Sequence, residues 1–349
     1  MNESTDFSRI LVRTTNWVGD AVMSLPALRV IRRRFPQAQI TIQARPSVAD
    51  LYAREHFADS IMLYGAARGA HGFAAKWRAA REIRRGRFDC AILLPNSFDS
   101  ALIPWLAGVP RRIGYNRDGR GFLLTDRIRS PLRGEIPRHE RYYYLELLRR
   151  AGLLDSLLDG GPIALDGAGE AREQGLRRFE ALGVGEPVIG VSPGAAYGNA
   201  KRWLPERFAE AAAAIASVKH AAVAVFGSRD EKGVCGEVEA AVTAAGCKAL
   251  NLAGTTTLAQ FIEFAAACIL FLTNDSGAMH IAYALGVPSV TVFGATDEEA
   301  TGPAGPLARI VREPVDCSPC LLRECPIDHR CMTRVTAQRV AAEALDLLK

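Results

Sequence analysis

The chain has 349 residues, of which 49% are hydrophobic and 23% charged, and this length predicts two globular domains. No apolar run approaches the roughly 20 residues that span a bilayer, and the N-terminus is too polar for a signal peptide, so we expect a cytoplasmic protein. The net charge of +5 is uneven: residues 1–160 hold 26 Lys and Arg against 16 Asp and Glu (+10), and residues 161–349 hold 17 against 22 (−5). The first half should attract an acidic partner, such as nucleic acid, anionic lipid or an acidic substrate, unless its arginines form only a solvated surface.

Strand and helix patterns alternate along the first half. Apolar strand patterns occur at Arg9–Arg13, Gln39–Gln43, Ser60–Tyr64 and Phe88–Leu94, and helical patterns at Ala21–Arg34, Val48–Arg54, Phe73–Arg85 and His139–Arg150. A second series has strands that begin at Val188 and continue at Ala221–Phe226, Ala249–Leu252, Cys268–Leu272 and Ser289–Phe293. This alternation predicts an α/β chain with parallel, doubly wound sheets.

The segment Asp155–Ala168 is rich in Gly and Asp, which is typical of a linker. We therefore predict two Rossmann-like domains, residues 1–160 and 161–349, with the linker starting at about residue 155. The amphipathic C-terminal helix Thr336–Leu348 is expected to pack back on the first domain.

The stretch Thr273–Gly294 predicts a strand end, a turn, a helix and another strand. Its turn is Asn274-Asp275-Ser276-Gly277, and Gly286 and Pro288 follow the helix. A helix N-terminus presents N–H groups and a partial positive charge, which suit an anionic ligand, and Asp275 and His280 would lie beside it. The alternative is an ordinary turn in which Asp275 is only an N-cap.

Two more strand ends of the second half carry residues suited to a nucleotide. Ser192-Pro193-Gly194 lets the backbone approach a diphosphate, and Lys201 supplies a point charge for it. After a later strand, Asp230 or Glu231 could reach ribose hydroxyls. The chain contains neither a GxGxxG fingerprint nor the phosphate loop of ATPases, which disfavours a hydride-transfer enzyme.

In the first half, Asp20 follows Asn16-Trp17-Val18-Gly19 after the first strand and could act as a general base, or simply cap the next helix. Between Arg111 and Arg141 the pattern resembles loops and holds nine Arg against four acidic residues. We expect these guanidinium groups to be accessible to an anionic acceptor, with surface ion pairs as the alternative.

Four cysteines lie close together near the C-terminus, at Cys317, Cys320, Cys325 and Cys331. Their spacing could hold zinc, but the second pair lacks the usual CxxC spacing, so reduced structural thiols are the favoured interpretation over zinc or a redox role.

Taken together, Asn16–Asp20, Ser192–Gly194 with Ala200–Trp203, and Asn274–Gly277 with His280 resemble the ADP-heptose:lipopolysaccharide heptosyltransferases of glycosyltransferase family 9. Phe293–Asp297 and the cysteine-rich tail extend the resemblance over nearly the whole chain. The similarity is greatest to the branch that adds the second heptose of the inner core.

The resemblance implies a GT-B fold with two domains facing each other across a cleft, and an inverting, metal-independent transfer that needs no cofactor. ADP-heptose is the implied donor and the anionic lipopolysaccharide inner core the acceptor, met peripherally at the inner face of the cytoplasmic membrane. Asp20 corresponds to the base, and the implied donor contacts are Lys201, Asp275, Ser276, Gly277, His280, Thr256, Ser192, Gly194 and either Asp230 or Glu231. The acceptor contacts are expected among Asn16, Trp17, Arg111, Arg112, Arg117, Arg120, Arg138 and Arg141.

Two alternatives remain open from the sequence. One is transfer of the first heptose, or of another sugar, on the same scaffold. The other is a non-catalytic nucleotide-binding or nucleic-acid-binding protein, but the Arg-rich segment has few aromatic residues for base stacking besides Tyr115 and Phe122. We therefore do not expect a nucleic-acid partner.

Overall fold

The computed structural model describes residues 7–65, 69–303 and 305–349. The polar residues 1–6, on which the prediction that the chain has no signal peptide partly rests, lie outside the described residues. The chain divides into two compact units, residues 1–166 and 167–349. Gly167, at the start of the second unit, has a left-handed backbone with φ of 67°, which glycine adopts without steric cost. None of the helices in the described ranges combines the length and the apolar character that crossing a membrane requires.

Unit 1 contains a parallel sheet in the order β3-β2-β1-β4-β5-β6. Its strands are β1 (Arg9–Arg13), β2 (Gln39–Ala44), β3 (Ser60–Leu63), β4 (Cys90–Leu93), β5 (Arg111–Tyr115) and β6 (Asp126–Ile128). The central residues Ile10, Leu11 and Val12 are fully buried, as expected for a strand covered on both faces. The strand order reverses between β1 and β4, where doubly wound sheets bind their ligands.

The helices of unit 1 are α1 (Val18–Met23), α2 (Leu25–Arg34), α3 (Pro46–Ala49), α4 (Gly69–Gly86), α5 (Phe98–Leu106) and α6 (Arg141–Arg150). The single helix predicted over Ala21–Arg34 is wrong, because the chain breaks at Ser24 and restarts with Pro26 in the first turn of α2. Proline has no N–H to donate and its ring clashes with the preceding turn, so it starts a helix rather than continuing one.

Unit 2 repeats the same strand order with β12-β11-β10-β7-β8-β9. Its strands are β7 (Val188–Ser192), β8 (Ala222–Val225), β9 (Ala249–Asn251), β10 (Leu270–Asn274), β11 (Ser289–Phe293) and β12 (Ala308–Arg312). The reversal lies between β7 and β10. Two Rossmann-like doubly wound domains in one chain confirm the predicted α/β class and the GT-B type of fold.

The helices of unit 2 are α7 (Ala168–Ala181), α8 (Pro205–Lys219), α9 (Lys232–Ala244), α10 (Leu258–Ala267), α11 (Gly277–Ala284), α12 (Glu298–Thr301), α13 (Arg330–Thr333) and α14 (Ala337–Leu347). The C-terminal helix α14 packs against α8, β11 and β12. Its buried residues include Val340 and Ala344. Packing of this helix on the first domain stays a prediction.

Candidate active site

The carboxyl ends of β7 and β10 lie side by side at the switch point of the second sheet. The two strands are parallel neighbours, with Ser192 opposite Thr273 in the register. The chain continues as Pro193-Gly194 after β7 and as Asp275-Ser276 after β10. The segments that the sequence assigns to donor binding therefore start from the same edge of the sheet, which is the ligand-binding edge of this fold.

Asp275 forms an ion pair with Lys201 at this edge. Lys201 Nζ lies 2.6 Å from Asp275 Oδ2, and the two side chains are 14% and 5% exposed. Thr296 Oγ1 donates a second hydrogen bond of 2.6 Å to the same carboxylate oxygen. Asp275 is therefore held by side chains from two other loops through charge-assisted hydrogen bonds. The alternative that Asp275 is only an N-cap is wrong, because Ser276 is the N-cap of α11.

Asn274, the last residue of β10, is completely buried. Its amide Nδ2 donates to the carbonyl oxygens of Pro193 at 2.7 Å and Gly194 at 3.3 Å. Its Oδ1 accepts a hydrogen bond of 2.9 Å from the backbone N–H of Trp203. This side chain therefore connects both ends of the loop that carries Lys201 to the end of β10, directly before Asp275. The sequence suggests only a turn-forming role for Asn274.

Helix α11 begins directly after the ion pair. Ser276 precedes it in an extended conformation, and its hydroxyl lies 3.2 Å from Thr273 Oγ1. The first helical residue is Gly277, and His280 is buried in the first turn. The start of α11 thus presents backbone N–H groups next to a lysine, an arrangement suited to phosphate.

Of the two acids proposed for ribose, Glu231 is the one that the structure places against the loop after β7. A Cβ atom added to Gly194 would lie 2.1 Å from Glu231 Oε1, so the carboxylate packs on the glycine backbone. Glu231 also accepts a hydrogen bond of 2.8 Å from the N–H of Ser228. Asp230 is exposed, and Thr256 lies in the turn between β9 and α10.

In unit 1, Asp20 lines an open pocket of about 430 Å³ at the switch point between β1 and β4. Asp20 lies in the first turn of α1, whose N-cap is Trp17, so it is not the cap itself. The pocket is lined by Thr15, Asn16, Trp17, Asp20, Leu94, Pro95, Asn96, Ser97, Arg117, Glu140, Tyr143 and Tyr144. Three of the residues predicted to bind acceptor, Asn16, Trp17 and Arg117, therefore lie around the predicted base.

A second carboxyl group, Glu140, lines the same pocket. Burial raises the pKa of Glu140, and the charge of Asp20 raises it further. The pKa of the Tyr144 hydroxyl is also raised, first by burial and then by Asp20. The charge of Asp20 thus acts on two neighbouring groups of the pocket and favours their neutral forms. Glu140 lies just before a helix and shows no sequence signal for this role.

Three of the predicted acceptor arginines make hydrogen bonds or ion pairs within unit 1. The segment expected to be loops contains β5 and β6, where Arg111 pairs with Asp126 at 2.8 Å. Arg112 donates to backbone carbonyl groups, including that of Leu123 at 2.6 Å. Arg120 is fully buried, which contradicts its predicted accessibility.

Arg120 satisfies its guanidinium group inside unit 1. It donates to Tyr115 O at 3.0 Å, to Ser100 Oγ at 2.5 Å and to Pro95 O. Burial lowers its pKa to about 10. Of the remaining candidates, Arg138 is exposed and Arg141 stacks on Tyr142 with its guanidinium carbon 4.5 Å from the ring centroid.

The four clustered cysteines line one small cavity of about 70 Å³ together with His329. None of these four cysteines forms a disulfide bond, and burial raises the pKa of Cys331 to about 11. Within the described ranges, no group of three or more His, Cys, Asp and Glu side chains is arranged to hold a metal ion. His329 Nε2 lies 3.1 Å from Ala200 O, which connects this cavity to the loop that carries Lys201.

Comparisons with known proteins agree on one family. Residues 76–330 match the model of glycosyltransferase family 9 (heptosyltransferase). The chain is 34% identical to lipopolysaccharide heptosyltransferase 2 of Escherichia coli K12, over 87% of this chain and 88% of the relative. It is 30% identical to lipooligosaccharide heptosyltransferase 2 of Haemophilus ducreyi, over 97% and 99%. The solved structure of E. coli ADP-heptose lps heptosyltransferase II superposes with a TM-score of 0.82 at 32% identity, covering 97% of this chain and 98% of that one.

Proposed function

Because the chain belongs to glycosyltransferase family 9, the heptosyltransferases, we propose that it has the activity of heptosyltransferase II. It transfers a heptose from ADP-L-glycero-D-manno-heptose to the first heptose of the lipopolysaccharide inner core. The observation that carries this proposal is the Lys201–Asp275 ion pair beside the start of α11, at the ligand-binding edge of the second sheet.

In the proposed donor site, different groups bind the diphosphate, the heptose, the ribose and the adenine of the donor. Lys201 and the N-terminus of α11 bind the diphosphate, with His280 as its neighbour, and Asp275 accepts hydrogen bonds from heptose hydroxyls. Gly194 lets the backbone approach the diphosphate, and Glu231 binds the ribose. Thr256 contributes through its main chain near adenine. As the bond to the sugar breaks, negative charge grows on ADP, and the cation and helix start stabilise it.

Asp20 is the proposed base of the reaction. It accepts the proton of an acceptor hydroxyl, whose oxygen forms a bond with the anomeric carbon of the donor while the bond from that carbon to the diphosphate oxygen breaks. One displacement of this kind inverts the configuration at the anomeric carbon. The pocket around Asp20 supports the assignment, because it is open and gives an acceptor hydroxyl room to approach the carboxylate.

The basic charge of the first half supports an anionic acceptor. Arg117, Arg138 and Arg141 are the arginines we assign to its phosphates and carboxylates, together with Asn16 and Trp17 at the pocket. Trp17 is 61% exposed, which suits contact with a sugar. We further propose peripheral association with the inner face of the cytoplasmic membrane, where a net charge of +10 attracts anionic lipid headgroups.

The test is an acceptor-discrimination assay with ADP-heptose and two purified inner-core acceptors, one without heptose and one with a single heptose. We expect transfer only to the acceptor that carries one heptose. Transfer to the heptose-free acceptor would instead identify a heptosyltransferase I activity. Absence of transfer to either, combined with salt-sensitive binding of oligonucleotides, would support the non-catalytic alternative.

A further inference from the structure

Residues 315–331, here called the cysteine segment, are bonded to the loop that carries Thr296. The backbone N–H of Leu321 donates to Ala295 O at 2.8 Å, and Ser318 Oγ donates to Gly294 O at 2.5 Å. Gly294 and Ala295 directly precede Thr296, which hydrogen-bonds Asp275. The cysteine segment therefore supports one of the two side chains that hold Asp275.

The cysteine segment also holds the loop that carries Lys201. The N–H of Ala200 donates to Arg323 O at 3.0 Å, and the Tyr197 hydroxyl donates to Leu321 O at 2.9 Å. At Gly198 the two backbones approach so closely that an added Cβ atom would lie 2.1 Å from Arg323 O. The cysteine segment is thus bonded to the loops of both partners of Asp275, Lys201 and Thr296. The side chains of the cysteine segment therefore lie at the margin of the proposed donor site.

Two cations flank the Tyr197 ring at this margin. Lys201 Nζ lies 4.9 Å from the ring centroid, and the Arg323 guanidinium carbon lies 5.2 Å from it. Tyr197 is 38% exposed, so the ring is accessible while it contacts both cations. Stacking on an aromatic face orients a guanidinium group and leaves its N–H fork free to bind phosphate oxygens in pairs.

The two cations, Lys201 and Arg323, differ in whether a carboxylate neutralises their charge. Lys201 already neutralises Asp275. Arg323 is exposed, and none of the ion pairs formed among the described residues involves it. A diphosphate carries more than one negative charge, so Lys201 with its paired aspartate leaves most of that charge unbalanced.

We propose that Arg323 is a second diphosphate-binding cation of the donor site, positioned by the Tyr197 ring and by the backbone of the cysteine segment. The proposal rests on the function proposed above and extends it, because it adds a residue outside the two strand ends that form the site. It also gives the cysteine segment a role in donor recognition that needs no bound metal.

Calorimetric titration of the full-length protein with ADP and with AMP tests the proposal. For Arg323→Ala, we expect ADP affinity to fall by about tenfold or more, as for loss of a charge-assisted contact, with a smaller loss for AMP. Arg323→Lys should restore part of the ADP affinity. Arg177→Ala, on the exposed surface of α7, is the matched control and should bind both nucleotides like the wild type.

Three results would overturn the inference, and each has a different meaning. Wild-type ADP affinity in Arg323→Ala would contradict the role of Arg323 while leaving the proposed function intact. A wild-type protein that binds no ADP would contradict the proposed function, and the inference with it. Equal losses for ADP and AMP, with no rescue by lysine, would indicate a general disturbance of the loop and would also count against a diphosphate contact.

Discussion

Lys201 Nζ lies 2.6 Å from Asp275 Oδ2, so the cation assigned to the donor diphosphate is paired with a carboxylate of the same site. This pairing holds the lysine in place and fixes the carboxylate that is assigned to the sugar. Because the pair is largely buried, removing either partner leaves the other charge uncompensated. Effects on binding and on stability must therefore be measured together.

For Lys201→Ala, we predict that ADP affinity falls roughly 10- to 100-fold and that stability falls by about 3 kcal/mol. Calorimetry measures the first and chemical denaturation the second. In the double variant Lys201→Ala/Asp275→Asn the unpaired charge is gone, so stability should recover while ADP binding stays weak. Recovery of ADP binding in the double variant would contradict the assignment of Lys201 to the diphosphate.

For Asn274→Ala, we predict a loss of about 3 kcal/mol, because three buried backbone groups lose their partner. The Lys201 loop should loosen, which raises the KM for donor more than it lowers kcat. Asn251→Ala is the matched control, since that amide accepts a single backbone hydrogen bond within the described residues, from Ala253 N–H at 3.0 Å. Similar losses of stability in the two variants would show that the Asn274 bonds do not hold the loop.

For Arg120 and Arg117, the structure predicts opposite behaviour. Arg120→Ala removes a buried guanidinium group and should cost about 3 kcal/mol or more of stability, through the loss of several buried hydrogen bonds. Arg117→Ala, at the Asp20 pocket, should leave stability within about 0.5 kcal/mol of wild type and raise the KM for acceptor. Unfolding curves measure the stability of the two variants, and acceptor titrations measure their KM for acceptor. A stable Arg120→Ala variant with weak acceptor binding would support the acceptor-binding role that the sequence predicts for Arg120.

The buried carboxyl of Glu55 should make unit 1 sensitive to pH. Burial raises the pKa of Glu55 from 4.5 to about 7, against the opposing effects of the Asp166 N–H and of Arg29. Because the folded state holds this proton more tightly than the unfolded state, the contribution of Glu55 to stability is fully present below about pH 4.5. That contribution falls by about 3 kcal/mol as the pH rises to about 7.

Glu55→Gln tests this dependence, because the amide cannot titrate. We expect the decline in unfolding free energy between pH 5 and pH 8 to become much smaller in the variant, as followed by denaturant titration at each pH. His56 also contacts Asp166, at 3.4 Å, so His56→Gln serves as the control. An unchanged decline in Glu55→Gln together with a flat profile in His56→Gln would assign the effect to the histidine.

The fold and the family could be predicted from the sequence, because buried parallel strands and helix-breaking residues leave local patterns. The family assignment is confirmed, and it rested on short motifs such as Asn274–Gly277. The pattern does not predict β5 or the edge strands β6 and β12, because they carry polar residues, such as the arginines of β5. The same polarity led to the wrong prediction that Arg111–Arg141 is a loop.

The contacts within the site could be predicted only in part. Asp20, Lys201 and Asp275 stand out by type and position, whereas Thr296, Asn274 and Glu140 act through contacts with residues distant in sequence. A buried amide that binds Pro193 O and Trp203 N–H has no local signature, because its partners are about 70 to 80 positions away. The burial of Arg120 has the same cause, since its partners Pro95 and Ser100 lie on another loop and helix.

The most direct test of the account is the combined measurement of heptose transfer and ADP affinity in Asp20→Asn. The amide keeps the shape of the side chain but cannot accept the acceptor proton, so we predict that transfer falls by a factor on the order of 100 to 10,000. Calorimetric affinity for ADP should stay at the wild-type value, because the donor contacts are assigned to unit 2. Near-wild-type transfer by Asp20→Asn would contradict the assignment of Asp20 as the base.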